Sequence, residues 1–319
     1  MSSSKIILIT GAAGFIGINL TKKLLSLGYR VVGLDNFYSS RPENIRLFED
    51  NPSYEFVRGD VRDFPKIGGS LDEIYNLACP ASPVVYQKDP LFTLETSVFG
   101  TRNVLELAQG KGARVLHAST SEVYGDPRES PQEECYFGNV NPVGPRSCYD
   151  EGKRVAETFC YEYFQRGVDV RVVRIFNTYG PYMAPQDGRV ITNFITQALS
   201  DEDLTVYGDG TQTRSFCFVS DLVEGLIKYM EHSPQFFGPL NFGNPREFAI
   251  LELAEKVLEL IPESESKLAF KPLPKDDPKR RKPDISKARN ILNWEPQVGL
   301  DVGLEKTIDY VKSFEGLEE

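Results

Sequence analysis

Tyr149 and Lys153 stand four positions apart in Tyr149-Asp150-Glu151-Gly152-Lys153, so on a helix their side chains share one face. An ammonium held beside a phenol favours the phenolate, and a phenolate can take the proton of a hydroxyl while a hydride leaves the same carbon. Tyr-x-x-x-Lys by itself is common on amphipathic helices. The pair gains weight from Ser119-Thr120-Ser121-Glu122 upstream, because Thr120 can hydrogen-bond the oxygen that Tyr149 deprotonates. Chemistry of this kind needs a hydride acceptor.

A site for one is written at the start of the chain. The apolar run Ile6-Ile7-Leu8-Ile9-Thr10 is followed at once by Gly11-Ala12-Ala13-Gly14-Phe15-Ile16-Gly17 and then by a helical run over 18–27. Glycines there permit a tight turn and a close approach of backbone to pyrophosphate, while the helix N-terminus attracts the phosphate charge. Asp35 ends the next apolar run, where a carboxylate can accept hydrogen bonds from ribose hydroxyls and would repel a 2′-phosphate. The expected cofactor is therefore NAD and not NADP. Asp60-Val61, after the third run, is placed to contact the adenine, although an Asp beside Gly59 also suits simple turn chemistry.

The elements that must hold these groups are short β-rich runs at 6–10, 30–34, 54–57, 73–77, 114–118 and 170–174, separated by helix-length segments. Continuous apolar strands alternating with helices predict an α/β fold: a Rossmann-like, doubly wound parallel sheet covered on both faces. After Arg174 the elements shorten and Pro and Gly become frequent, which predicts a smaller, interleaved C-terminal substrate domain. The run Pro239-Leu240-Asn241-Phe242 reads as a returning strand of the main sheet. The expected division is 1–174 plus about 214–243 for the NAD-binding domain, and about 175–213 plus 244–319 for the substrate domain.

Composition narrows the class. A chain of 319 residues with 40% hydrophobic content can bury a full core, and its net charge of −10 disfavours nucleic acid and anionic membrane as partners. Five cysteines, Cys79, Cys135, Cys148, Cys160 and Cys217, lack C-x-x-C spacing, so reduced thiols are expected and not a disulfide framework or zinc site. His117 and His232, the two histidines, have no neighbouring ligand pattern, and no metal is expected. The N-terminus enters the first apolar run directly, so the expectation is a cytoplasmic chain without signal peptide or membrane anchor. The cationic run Lys275 to Lys282 is the exception to the acidic balance and suits an anionic ligand.

Taken together, the glycine motif, Thr120 and the Tyr149/Lys153 pair resemble the extended short-chain dehydrogenase/reductase family over nearly the whole chain. Within it, Ser121-Glu122 discriminates: nucleotide-sugar 4,6-dehydratases carry Asp-Glu there, and simple 4-epimerases lack the acidic pair. Asn76-Leu77-Ala78-Cys79-Pro80-Ala81-Ser82-Pro83, residues 122–127, Arg146-Ser147-Cys148-Tyr149, residues 174–181, Asp187-Gly188-Arg189-Val190, residues 207–216 and Arg281-Lys282-Pro283-Asp284-Ile285 all resemble the UDP-glucuronate decarboxylases, also called UDP-xylose synthases.

That resemblance implies conversion of UDP-glucuronate to UDP-xylose and carbon dioxide through a 4-ketone, with NAD recycled in the site. It implies catalytic roles for Thr120, Ser121, Glu122, Tyr149, Lys153 and Arg281. Cofactor contacts would come from Gly11, Gly14, Phe15, Ile16, Gly17, Asp35, Asn36, Asp60, Val61, Leu77, Ala78, Tyr149 and Lys153. Substrate contacts would come from Tyr86, Asn177, Arg189, Tyr207, Arg214 and Arg281, and the assembly would be a homodimer built from paired helices, one carrying Tyr149 and Lys153. Two positions depart from the family: Ser97 stands where asparagine is usual, and Tyr182 where arginine is common. The alternatives are a UDP-apiose/xylose synthase or another NAD-dependent nucleotide-sugar 4,6-dehydratase or epimerase, and, in a different class, an inactive NAD-sensing binding module.

Overall fold

A computed structural model describes residues 4–233, 235–272 and 281–315, which form two units. The first comprises Met1–Val123, Val140–Ile175 and Val223–Leu240; the second comprises Tyr124–Asn139, Phe176–Leu222 and Asn241–Glu319.

In the first unit β1 (Ile6–Thr10) leads through the glycine turn into α1 (Phe15–Ser26), followed by β2 (Arg30–Asp35), β3 (Tyr54–Arg58) and β4 (Glu73–Asn76). Two short helices, α2 (Pro83–Tyr86) and α3 (Pro90–Glu95), precede α4 (Thr101–Lys111), β5 (Arg114–Thr120), α5 (Ser147–Gln165) and β6 (Val170–Ile175). The central sheet has the order β11-β6-β5-β4-β1-β2-β3, where β11 is Leu240–Phe242, the returning strand expected from sequence. Parallel registers run from β3 to β6, for example Thr10 opposite Asn76 and Thr120 opposite Ile175. Chain order reverses between β1 and β4, and a doubly wound sheet opens its ligand crevice at such a switch point, beyond the carboxyl ends of the strands.

Helices cover the sheet because their apolar residues recur on one face. On α5 the buried positions Tyr149, Lys153, Ala156, Cys160 and Tyr163 follow a spacing of four and three, a single inward stripe. Tyr149 and Lys153 thus belong to the face whose lower part packs against β5 and β6, with Cys160 and Tyr163 in the same core as Val104, Leu105, Val115 and Val170. A second lock is polar. Glu157, one turn beyond Lys153, takes a fork of two hydrogen bonds from Arg174 at 3.0 and 2.7 Å and one from the Ser119 hydroxyl at 2.5 Å. Sheet and helix are therefore fixed to each other immediately below Thr120.

Among the described residues, the second unit contains three two-stranded ladders. They pair β7 (Thr178–Tyr179) with β10 (Cys217–Phe218), β8 (Leu204–Tyr207) with β13 (Leu268–Lys271), and β9 (Thr213–Ser215) with β12 (Glu247–Ala249). Helices α6 (Val190–Leu199), α8 (Ile250–Leu260), α9 (Ser286–Leu292) and α10 (Leu300–Glu315) complete it, and α7 (Val219–Glu231) begins in this unit. Segment 124–139 groups here because buried Asn241 gathers it. The Asn241 amide donates to the carbonyls of Gln132 and Asp284, its carbonyl accepts from the Tyr124 hydroxyl at 2.7 Å, and its backbone N–H donates to Glu134. No helix among the described residues is long and apolar enough to cross a membrane.

Candidate active site

Gly11 turns the chain from β1 toward α1 with φ +71°, a conformation costly for any residue with a Cβ. A Cβ added there would lie 3.0 Å from the backbone nitrogen of Ala78, and one at Gly14 would lie 3.2 Å from the Gly11 carbonyl oxygen. Gly17 sits still closer to that carbonyl, which lets α1 pack directly onto the turn. The backbone thus leaves a trough lined by Gly11, Gly14, Asp35, Asn36, Asp60, Val61, Leu77 and Ala78, together with Tyr38, Ser39, Ser40, Cys79, Pro80, Phe92 and Thr96. Phe15, Ile16 and Gly17 open α1 and are not among the residues that line it.

At one end of the trough lies Asp35, buried, with one carboxylate oxygen accepting from Ala13 N–H at 3.0 Å and the other from Phe37 N–H and the Ser40 hydroxyl at 2.8 Å. A carboxylate has about four acceptor sites, so one is left for a ribose hydroxyl. Asp60 is held by the Asn36 amide at 2.9 Å and by the Arg62 guanidinium. Burial opposes its charge, but the hydrogen bonds from Arg62 and Asn36 outweigh this and keep its carboxyl below the ordinary range. A glycine turn, a helix N-terminus and an anion at the far end make a cradle that fits a dinucleotide without a 2′-phosphate.

Beneath the trough runs a buried chain of hydrogen bonds. Thr10 accepts from the N–H groups of Leu77 and Ala78 and donates to the Asn76 carbonyl oxygen at 2.9 Å. The Asn76 amide therefore faces Nδ1 of His117 at 3.1 Å, so Nδ1 is the acceptor and Nε2 carries the proton. Burial, reinforced by the Lys153 ammonium, holds the His117 pKa well below the usual histidine range.

Thr120, Ser121 and Glu122 lie at the carboxyl end of β5 and in the 3₁₀ turn Ser121–Tyr124 that follows it, all buried or nearly so. The Thr120 hydroxyl accepts from Glu122 N–H at 3.3 Å. On α5, the Lys153 ammonium donates to the Ala118 carbonyl at 2.7 Å and stands 5.9 Å from the centre of the Tyr149 ring. Tyr149 is 6% exposed, and its ring lies flat on Tyr86 of α2, with centroids 5.0 Å apart and planes at 3°. The first unit thus assembles Thr120, Ser121, Glu122, Tyr86, Tyr149 and Lys153. Ser97, the departure noted in sequence, is buried in the π turn Thr96–Gly100 and meets Cys79 Sγ at 3.2 Å.

The other expected residues lie in the second unit. Arg281 is buried, and its carbonyl accepts from Ser215. Arg214 is buried on β9 and donates to the Thr213 carbonyl. Arg189 precedes α6 and presents its fork to Asp187, one arm at 2.8 Å. Asn177 gives its carbonyl to Cys217 N–H, and Tyr207 ends β8 half-exposed. Of the cationic run at 275–282, Lys275 to Arg280 lie outside the described residues; Lys282 pairs with Glu247 at 3.2 Å.

One further residue, present in the motif Arg146-Ser147-Cys148-Tyr149 but given no role there, joins the cluster in the first unit. Arg146, at the N-cap of α5, donates to Glu122 at 2.7 Å. Its conspicuous signal was a cation where a helix start favours anions. Thr10 and His117 were likewise hidden, because their partners come from other strands.

A family model described as GDP-mannose 4,6 dehydratase matches residues 8–307. The chain is 54% identical over 303 residues to UDP-glucuronic acid decarboxylase 1 of Arabidopsis thaliana, covering 95% of this chain and 68% of the plant protein. It is 53% identical over 307 residues to UDP-glucuronic acid decarboxylase 1 of Danio rerio, covering 96% and 72% respectively, so it spans about two thirds of the length of these relatives. Among solved structures it resembles UDP-glucuronic acid 4-epimerase from Bacillus cereus, determined in complex with UDP-glucuronic acid and NAD, at a TM-score of 0.86 and 31% identity over 97% of this chain and 99% of that one.

Proposed function

This chain belongs to the extended short-chain dehydrogenase/reductase family, and from that premise we propose that it is an NAD-dependent UDP-glucuronate decarboxylase forming UDP-xylose and carbon dioxide. The observation that carries the reading is the identity to the plant and fish decarboxylases over almost the whole chain. The Ser121-Glu122 pair at the end of β5 supports it against a 4,6-dehydratase, whose Asp-Glu supplies an acid for loss of water.

The trough of Gly11, Gly14, Asp35, Asn36, Asp60, Val61, Leu77 and Ala78 is proposed to hold NAD, with Phe15, Ile16 and Gly17 supplying the helix start. When bound, NAD supplies the acceptor for the hydride at sugar carbon 4 and the means of returning it. Tyr149 removes the proton of the 4-hydroxyl, Thr120 hydrogen-bonds the same oxygen, and Lys153 places a positive charge beside the phenol. The sugar carboxylate is then β to a ketone and leaves as carbon dioxide, its electron pair passing into an enolate. Tyr149, now protonated, donates a hydrogen bond to the enolate oxygen, a stabilisation that the ground state does not use. Reprotonation at carbon 5 and reduction at carbon 4 close the cycle without net redox change.

For the second unit we propose recognition of the nucleotide-sugar: Arg189 and Arg214 toward the diphosphate, Asn177 and Tyr207 toward phosphate and uracil, and Arg281 toward the uronate carboxylate. Tyr86, stacked on Tyr149, is proposed to contact the sugar. A cytoplasmic setting suits five free cysteines. A homodimer is supported by apolar side chains exposed on and beside α4 and α5, namely Phe99, Val155 and Tyr161.

Incubation with UDP-glucuronate, without added reductant, followed by mass analysis of the nucleotide product tests the reading. Carbon dioxide with UDP-xylose is expected; an epimerised uronate alone rejects it. Replacing Tyr149 with Phe should lower kcat by about 10²–10⁴-fold with the fold intact, and unchanged turnover would remove the assigned base.

A further inference from the structure

Arg146 breaks a local rule. It occupies the N-cap of α5, where its side chain makes no capping hydrogen bond and where the helix dipole disfavours a cation. Violations of local preference concentrate at functional sites, so the compensating contact is informative. The Arg146 guanidinium reaches across to the turn after β5 and donates to Glu122 Oε2 at 2.7 Å, with the two side chains only 17% and 12% exposed. Its Nε lies 4.0 Å from Asp150 Oδ2 on the next turn of α5. The Arg146 carbonyl also accepts from the N–H groups of Tyr149 at 3.0 Å and Asp150 at 3.1 Å, closing the helical turn that presents the catalytic phenol. One residue thus fixes the start of the Tyr149 helix with its backbone and Glu122 with its side chain.

We propose that Arg146 is a positioning residue that holds Glu122 as an ionised carboxylate, so that Glu122 acts by accepting hydrogen bonds and is not the acid that protonates carbon 5. This deepens the decarboxylase reading and rests on it for what Glu122 does in turnover; the hold of Arg146 on Glu122 does not depend on it. The titratable groups that bear on the Arg146–Glu122 pair are Asp150 from α5 and Tyr86 from α2, with Tyr149 stacked on Tyr86 and Lys153 5.9 Å from the centre of the Tyr149 ring. Loss of the guanidinium would remove a cation 2.7 Å from a largely buried carboxylate. The lost opposite charge and the burial both favour the protonated acid. The Arg146 pKa is itself pushed up: burial opposes the charge, but Glu122, Tyr86 and Asp150 outweigh it.

The test is an infrared titration of the holoenzyme, taking the difference between the wild-type protein and Glu122→Gln to isolate the Glu122 carboxyl band. In an Arg146→Gln background the midpoint of that band should rise by about 1–3 pH units. The acid limb of kcat/KM for UDP-glucuronate should move with it. Arg146→Lys keeps a point charge without the planar fork, so it should return the midpoint toward the wild-type value while kcat stays depressed. A folded Arg146→Gln protein with an unmoved midpoint overturns the proposal. If Arg146→Gln does not fold, Arg146→Lys decides: a midpoint in the ordinary glutamate range, or an unaltered kcat, overturns it. Product analysis of the wild-type enzyme is a separate arm. Absence of carbon dioxide together with a shifted midpoint would remove the decarboxylase reading and leave the assignment of Arg146 standing.

Discussion

His117 shows how much a single residue takes from its surroundings. It is buried between strands, receives a hydrogen bond from Asn76 and faces the field of Lys153, so its folded form stays neutral. In the unfolded chain a histidine titrates at about 6.5. Below that pH the unfolded state takes up a proton that the folded state refuses, so stability is lost as pH falls and is retained above about 6.5. The contribution has a slope of up to about 1.4 kcal/mol per pH unit. Urea unfolding at a series of pH values should show this slope in the wild-type protein and a shallower one in His117→Gln; identical slopes would mean that another group accounts for acid sensitivity. The same inventory of surroundings separates the thiols. Burial pushes the Cys160 and Cys217 thiols up, so both should resist alkylation in the native protein while exposed Cys135 reacts, as peptide mapping after brief labelling would reveal.

At the scale of elements, the placement of the site depends on how closely α5 approaches the π turn Thr96–Gly100. Gly152 lies between Tyr149 and Lys153, and a Cβ there would come within 2.9 Å of Ser97 Cβ and 3.4 Å of Leu94 Cδ1. Ser97 is almost wholly buried and cannot swing aside. Alanine gains about 1 kcal/mol over glycine in a helix interior, whereas overpacking a dense contact costs about 1–3 kcal/mol. The contact term wins. Gly152→Ala should lower stability by about 1 kcal/mol and reduce kcat by tilting the helix face that carries Tyr149 and Lys153. Gly110→Ala on α4, whose Cβ would meet nothing within 4 Å, should instead gain about 0.4–1 kcal/mol. Thermal unfolding of the two variants reads the opposite signs directly, and equal signs would contradict the close approach.

For the whole molecule, the relevant quantity is the linkage between fold and cofactor. A ligand that binds only the folded protein stabilises it by about 2.7 kcal/mol at a concentration one hundred times its Kd. NAD should therefore raise Tm in proportion to the logarithm of its concentration, and stripping it should lower Tm. NADP at the same concentration should raise Tm far less, because its 2′-phosphate would meet the buried Asp35 carboxylate. An equal response to both would reassign the end of the trough. Asp35→Ser should narrow the gap between them. The net charge of −10 leaves recognition of a polyanionic nucleotide-sugar to local cations and not to the molecule's overall field.

The amino-acid sequence by itself determined the parts of this protein that depend on short spacing. The glycine turn between β1 and α1, Asp35 at the end of β2, and Tyr149 with Lys153 on one helical face follow from periods of two and 3.6 residues, and so did the sheet with its returning strand. Only the tertiary structure decided the contacts that tune these groups. Thr10 meets Asn76 across 66 positions, Asn76 meets His117 across 41, and Arg146 meets Glu122 across 24. The flat stack of Tyr86 on Tyr149 belongs to the same class. No periodicity announces such pairs. They exist because parallel strands bring their carboxyl ends to one edge, where residues far apart in the chain share one desolvated place and must satisfy one another's charges and hydrogen bonds.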